Sequence, residues 1–273
     1  MPAAAPVPDA WLAAAIAIAR GASAILKDGF GGPSRIEMKG AIDLVTEHDR
    51  ASEAYILGEI ARRFPGHAVL AEESGGSAAD PAAPPPYRWI ADPLDGTTNF
   101  AHGLPFFCVS LALEADGERA LGVLYDPLRD ECFAARKGGG ATLNGVPIRV
   151  STATSLASAL GCTGFPYDVM EKPEETLRFF APLLPTMRGV RRLGSAALDL
   201  GYVACGRLDL FWEVKLHPWD VAAGILIVEE AGGRVTDFVG TPVAPEPIEI
   251  AATNGALHEP FLAELRKIER LRG

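Results

Sequence analysis

The stretch Trp89-Ile-Ala-Asp92-Pro-Leu-Asp95-Gly96-Thr97-Thr98-Asn99 constrains this chain more than any other. Tyr87 to Ala91 is short and mostly apolar, the pattern of a buried strand, and it runs into a Pro-bent turn and then a helix start. Asp92 and Asp95 stand three residues apart across that turn, so both carboxylates can face one point. Hard cations such as Mg2+ take oxygen ligands in octahedral array. A Gly-Thr pair opening a helix offers bare N–H groups to a phosphate. The same residues are also common turn and cap residues. On residue chemistry alone, a cation site beside an anion cradle and a plain turn stand level.

Further acidic segments carry the same double reading. Glu72, in Ala71-Glu72-Glu73-Ser74-Gly75-Gly76, follows a predicted strand over His67 to Leu70 and can supply another oxygen ligand; taken alone the segment is a solvated acidic loop. In Asp43-Leu-Val-Thr46-Glu-His-Asp49 the pair Thr46 and Asp49 has capping-box spacing, and Asp49 also has a reading near a metal. Asp220 falls in the first turn of a predicted helix, where the dipole welcomes a carboxylate. Glu213, after Trp212, either meets a polyhydroxy ligand or ends a strand in water.

Composition excludes several classes. Across 273 residues, 48% hydrophobic and 22% charged side chains fit a folded globular chain of one large or two modest domains. The 25 Lys+Arg against 35 Asp+Glu leave a formal charge of −10. Basic residues cluster only at Arg191-Arg192 and in the C-terminal helix, which argues against nucleic acid as a partner. The cysteines Cys108, Cys132, Cys162 and Cys205 lie far apart with no CxxC pair, as free thiols of a cytoplasmic protein would. The apolar stretch Trp11 to Ile25 is interrupted by Arg20 and has no basic flank, so neither a leader nor a membrane span is expected. The five histidines show no ligand spacing and are expected at the surface or in loops. No Gly-x-Ser-x-Gly elbow or Walker-type phosphate loop is present.

Periodicity predicts a first helix capped by Asp9, a loop or loose hairpin over Asp28 to Gly40, and a second helix from Thr46 to Pro65-Gly66. The proline-rich run Ala78 to Pro86 reads as a surface loop, and a strand meander follows with an Asn144-Gly145 hairpin turn. A composition change near Val150 to Ser155 marks a boundary between an N-terminal domain, 1–150, and a C-terminal domain, 151–273. The second half alternates: strands near Leu160, Asp209, Val235 and Ile248, with helices over Glu174–Leu184, Ser195–Cys205, Trp219–Ala231 and Leu257–Leu271. Helices and mixed strands in both halves suggest a layered α/β (α+β) sandwich.

Taken together and in this order, the segments resemble the inositol monophosphatase family, within the superfamily of Mg2+-dependent, lithium-sensitive sugar phosphatases. The resemblance runs from about Lys39 to Thr253 and is carried by Trp89 to Pro105 and Trp219 to Gly233, with Asp43–Asp49 and Glu72-Glu73-Ser74 in support. The stretch Arg191 to Gly206 is similar to the bacterial branch. The resemblance implies an αβαβα sandwich of the sugar-phosphatase fold, a homodimer, and two or three Mg2+ per subunit. Glu72, Asp92 and the Leu94 carbonyl would hold one ion, and Asp92, Asp95 and Asp220 the second, with a third looser ion on Glu72. Thr97 and Asp49 would activate water, and the Gly96 and Thr97 amides would hold phosphate. Glu213, with Asp95, Ala196 and Asp220, would contact ring hydroxyls, and a mobile loop bearing Lys39 would close near the metals. The implied substrates are inositol monophosphates. Relatives also use fructose 1,6-bisphosphate, histidinol phosphate or 3′-phosphoadenosine 5′-phosphate, and some bacterial members bind the transcription machinery.

Overall fold

Apolar spacing sets the first layer. Ala15, Ile18, Ala19, Ala22 and Leu26 lie fully buried along one face of helix α1 (Asp9–Gly29). Among the described residues this is the one helix long and apolar enough to cross a membrane, and its buried face packs on a β-sheet. Asp9 does not cap it. Pro8 holds the extended cap position, which leaves the Asp9 carboxylate free to pair with Arg136 at 2.9 Å.

The computed structural model describes residues 7–40, 42–75, 85–243 and 248–270, with only the backbone at 269 and 270. Most of the proline-rich loop expected over Ala78 to Pro86 lies outside them. After α1 come a hairpin of β1 (Ile36–Met38) and β2 (Leu44–Thr46), then α2 (Glu47–Arg63), β3 (Ala68–Ala71), β4 (Tyr87–Asp95) and a short α3 (Thr97–Ala101). The meander β5 (Cys108–Ala115), β6 (Glu118–Asp126), β7 (Glu131–Arg136), β8 (Ala141–Leu143) and β9 (Val146–Pro147) follows. Strands β3 to β9 form one seven-stranded sheet in sequence order, parallel only between β3 and β4. Asn144 and Gly145, at φ 51° and 77°, turn β8 into β9 as that residue pair predicts.

The remaining elements are β10 (Leu160–Thr163), α4 (Pro173–Leu183), β11 (Gly189–Arg191), α5 (Ala196–Ala204), β12 (Leu210–Leu216), α6 (Pro218–Glu230), β13 (Arg234–Thr236), β14 (Ile248–Thr253) and α7 (His258–Arg270). Their strands form a five-stranded sheet, β11-β10-β12-β14-β13. Strand β11, only three residues long, gave no readable period.

Three cores make the layers. Helices α1 and α2 cover the outer face of the large sheet, α5 and α6 fill the space between the sheets, and α4 and α7 cover the far side of the small sheet. The result is an αβαβα sandwich. The middle core joins both sheets: Ile90 and Phe133 from one, Leu200 and Ile227 from the helices, Phe211 and Ile250 from the other. His258 corrects the expectation of surface histidines. It is fully buried between the hydroxyls of Thr236 (2.9 Å) and Thr253 (3.1 Å), which satisfy both ring nitrogens.

Candidate active site

The acidic stretch closes strand β4 in an irregularity of the ladder. Pairing with β5 shifts register between Asp92 and Asp95. The Ser52 hydroxyl of α2 pins the turn by donating to the Pro93 carbonyl at 2.8 Å, and the Leu94 N–H donates to Asp92 Oδ1 at 2.9 Å. Gly96 then takes the left-handed conformation, φ 95°. A Cβ there would also stand 3.1 Å from the Phe106 carbonyl oxygen, so only glycine fits the step into α3.

Asp49 fulfils both of its sequence readings at once. Its Oδ2 accepts from the Thr46 N–H (2.9 Å) and hydroxyl (2.5 Å), which makes the helix cap. Its Oδ1 stands 3.0 Å from the Thr97 hydroxyl. That hydroxyl is equally close, 3.0 Å, to the Leu94 carbonyl, so its single proton serves one of two acceptors. Burial raises the Asp49 carboxyl, with these hydrogen bonds opposing.

Asp95 reaches across to the other sheet's half. Its Oδ2 accepts from the Ser195 hydroxyl at 2.6 Å and the Ala197 N–H at 2.7 Å, at the N-terminus of α5. Even with these donors, burial pushes its carboxyl up to about 6. Asp220 lies in the first turn of α6 and accepts from the His217 N–H at 2.7 Å. Glu72 follows β3 and receives Lys39 Nζ at 3.1 Å, while the same ammonium donates to Glu73 at 2.5 Å. Burial pushes Glu72 up to about 7, with Lys39 opposing and Glu73 adding.

Asp92 stands at the centre of this group. Burial raises its carboxyl far above the usual range, and the charges of Glu72, Asp95 and Asp220 add to the effect. These side chains, with Leu94, Gly96 and Thr97, line a cleft of about 240 Å3. The donors are carboxylates and a main-chain carbonyl, with neither thiol nor imidazole, a set suited to a hard divalent cation. Among the described residues no three carboxylate, imidazole or thiol groups gather tightly enough to grip one ion together. The carboxylates instead line one wall in mutual electrostatic reach.

The opposite end of the cleft has a different character. Glu213 closes it from β12 and is only 8% exposed, so it does not end a strand in water. No described residue donates a hydrogen bond to it. Burial, then the nearby Asp199 charge, push it up to about 8, with Arg192 opposing. Gly164 makes the room: a Cβ there would lie 2.0 Å from Glu213 Oε1. Ala196 lines the same end, and Asp199 Oδ1 is buried there without a partner. Arg192 lies over the Phe165 ring, 5.5 Å from its centroid. Sequence reasoning missed Gly164, Ser195 and Asp199 as parts of the site. Only the cap position of Ser195, at the start of a predicted helix, gave any signal.

A model of the inositol monophosphatase family matches residues 8–270. The chain belongs to that family. An inositol-1-monophosphatase of Synechocystis is 48% identical over 252 residues, covering 91% of this chain and 86% of the relative. The Nus factor SuhB of Escherichia coli K12 is 41% identical, with 92% of this chain and 94% of the relative covered. In solved structures, an inositol monophosphatase from Anabaena superposes with a TM-score of 0.85 at 43% identity, covering 94% of this chain and 96% of that one. The extragenic suppressor protein SuhB of Bartonella henselae superposes at 0.89 with 39% identity, covering 95% and 99%.

Proposed function

We propose that the chain is a Mg2+-dependent phosphomonoesterase that hydrolyses inositol monophosphates to inositol and phosphate. The carrying observation is the Asp49–Thr97 pair, 3.0 Å apart, in which buried Asp49 backs Thr97 and Thr97 lines the same cleft as Asp92, Glu72, Asp95 and Asp220. Phosphate monoester hydrolysis is among the slowest uncatalysed reactions, so the charge of the dianion must be offset. Mg2+, as two or three ions held by Glu72, Asp92, the Leu94 carbonyl, Asp95 and Asp220, would supply that positive charge and orient the ester.

The chain's own residues do the rest. Thr46 saturates one oxygen of Asp49, so the other is left to take a proton passed through Thr97 Oγ1 from the attacking water. The Gly96 and Thr97 amides hold the phosphate at the start of α3. Glu213, beside Asp95, Ala196 and Asp220, meets the ring hydroxyls; the lack of any protein donor at Glu213 leaves its acceptors for the ligand. The segment bearing Lys39, already on Glu72 and Glu73, closes the mouth. The same reading makes the protein a lithium-sensitive, cytoplasmic homodimer.

Phosphate release with and without Mg2+ tests this, using inositol 1-phosphate, fructose 1,6-bisphosphate, histidinol phosphate and 3′-phosphoadenosine 5′-phosphate. A Mg2+-dependent preference for the inositol ester is expected. Preference for another ester moves the substrate and keeps the site. The relatives named Nus factor favour one further role, binding a protein partner of the transcription machinery. Silence on all four esters, with a stoichiometric partner recovered by the Asp95→Asn variant, would support that role instead.

A further inference from the structure

Strand β12 carries an extra residue against its partner β14. Val214 pairs with Glu249 and Leu216 with Ile248, which leaves Lys215 as the bulge between them. Its backbone is left-handed, φ 61°, a region that strains a lysine and suits glycine. The bulge redirects the side chains that follow. Leu210, Trp212 and Val214 pack into the core under α4 and α7, and Phe211 into the middle core. Plain alternation would send Leu216 outward with Val214, yet it joins the middle core. Glu213 before the bulge and Asp220 after it therefore reach one cleft.

The same lysine ties β12 to the segment beside it. Its ammonium donates to Asp168 at 2.6 Å and to Glu175 at 2.7 Å. Asp168 lies in the connection from β10 to α4, and Glu175 in the first turn of α4. The Val169 N–H donates to the Pro166 carbonyl at 3.0 Å and the Lys172 N–H to the Asp168 carbonyl at 2.9 Å. These turns fold the connection on itself, so a tie at Asp168 holds it as a unit. Its residues Gly164, Phe165, Pro166 and Val169 line the cleft, and Gly164 stands against the Glu213 carboxylate. The three charged side chains are 31% to 43% exposed, and ion pairs so exposed add little to stability. Stability thus does not account for a strained lysine where glycine would sit without cost. Strain of this kind persists where the surroundings fix a position that matters.

We infer that Lys215 is a positioning residue for the choice of alcohol: its ammonium clamps the β10–α4 connection beside Glu213, so that wall and carboxylate meet the ring hydroxyls as one fixed surface. The inference rests on the phosphatase reading and is tested so that the two can fail separately. Lys215→Gly keeps the left-handed backbone and removes the ammonium. In this variant the KM for inositol 1-phosphate should rise about fivefold, with kcat and the KM for an aryl phosphate within about twofold of wild type. Tm should not fall, because the strain leaves with the lysine. Amide exchange over residues 164–172 should quicken several-fold. Asp168→Ala with Glu175→Ala cuts the same pairs and leaves the bulge in place. It should reproduce the KM rise, and adding Lys215→Gly to it should raise KM no further. Lys215→Arg, which can keep both pairs, should hold KM near the wild-type value.

An unchanged KM for inositol 1-phosphate in Lys215→Gly would overturn the inference, even if exchange over 164–172 quickened. So would equal losses on inositol 1-phosphate and the aryl phosphate, or a drop in Tm alongside the KM rise, since the pairs would then serve the fold as a whole. If the wild-type protein turns over no ester, calorimetry in Mg2+ decides. Weaker binding of inositol 1-phosphate to Lys215→Gly, with inorganic phosphate bound as before, would keep the inference while the phosphatase reading falls. Equal changes for both ligands, or none, would remove it.

Discussion

Asp95 and Glu213 are carboxylates of one cleft, each 8% exposed, and their surroundings are opposites. Asp95 is held by the Ser195 hydroxyl and the Ala197 N–H. Glu213 receives nothing from any described residue, and Gly164 clears space around it. A buried carboxylate with fixed donors is preorganised and cannot adapt. One without donors is completed by its ligand, because burying an acceptor unpaired is costly. The first arrangement suits chemistry common to every substrate, and the second suits discrimination among alcohols.

The largest effect expected from this contrast is at Asp95. Asp95→Asn should lower turnover of every ester roughly a thousandfold and alike, because the phosphate end is shared by all of them. A loss confined to inositol esters would break the comparison. Thr97→Ala should cost about a hundredfold, again on all esters, since it interrupts the path to Asp49. Glu213→Gln sharpens the other side: about a tenfold loss of kcat/KM on inositol 1-phosphate and little change on an aryl phosphate. Gly164→Ala should copy that selective loss, because the added Cβ meets the Glu213 carboxylate at 2.0–2.1 Å. If Gly164→Ala weakens both substrates equally, Glu213 has no part in choosing the alcohol.

The smallest effect concerns protons. In the metal-free protein, Glu72 and Glu213 keep their protons to about 7 and about 8, against an ordinary value of 4.5. The native state therefore binds more protons than the unfolded chain between about pH 4.5 and pH 8, and stability falls as pH rises through that window. Thermal melts of chelated protein should show Tm dropping by several degrees from pH 5 to pH 8. Added Mg2+ should recover the loss at pH 8, because it binds the folded, ionised cluster. A Tm that climbs with pH would mean that these carboxyls are already ionised in the fold.

The Asp92 end of the cleft was the readable end. A strand that runs into Asp92, Asp95 and Gly96, and a capping pair at Thr46 and Asp49, are local patterns that hydrogen bonding and backbone geometry fix within a few residues. The Glu213 end was less legible because it depends on long-range packing. Glu213 is buried only because β10 lies beside β12 with a glycine at 164. Asp199 sits in the first turn of α5, where the other three residues, Ala196, Ala197 and Leu198, are apolar. His258 shows the same limit from the structural side, since the threonines that satisfy it, Thr236 and Thr253, come from two different strands.

The bond from Asp95 to the start of α5 has a consequence for how the protein is made. A chain leaving the ribosome carries Glu72, Asp92 and Asp95 long before it carries Ser195, Ala197 or Asp220. Until those later residues emerge, Asp95 has no donors and the cleft has only one wall. The acidic cleft is therefore among the last features to be assembled during synthesis, and a truncated product that ends before Ser195 carries Glu72, Asp92 and Asp95 without Ser195, Ala197 or Asp220 to complete their surroundings.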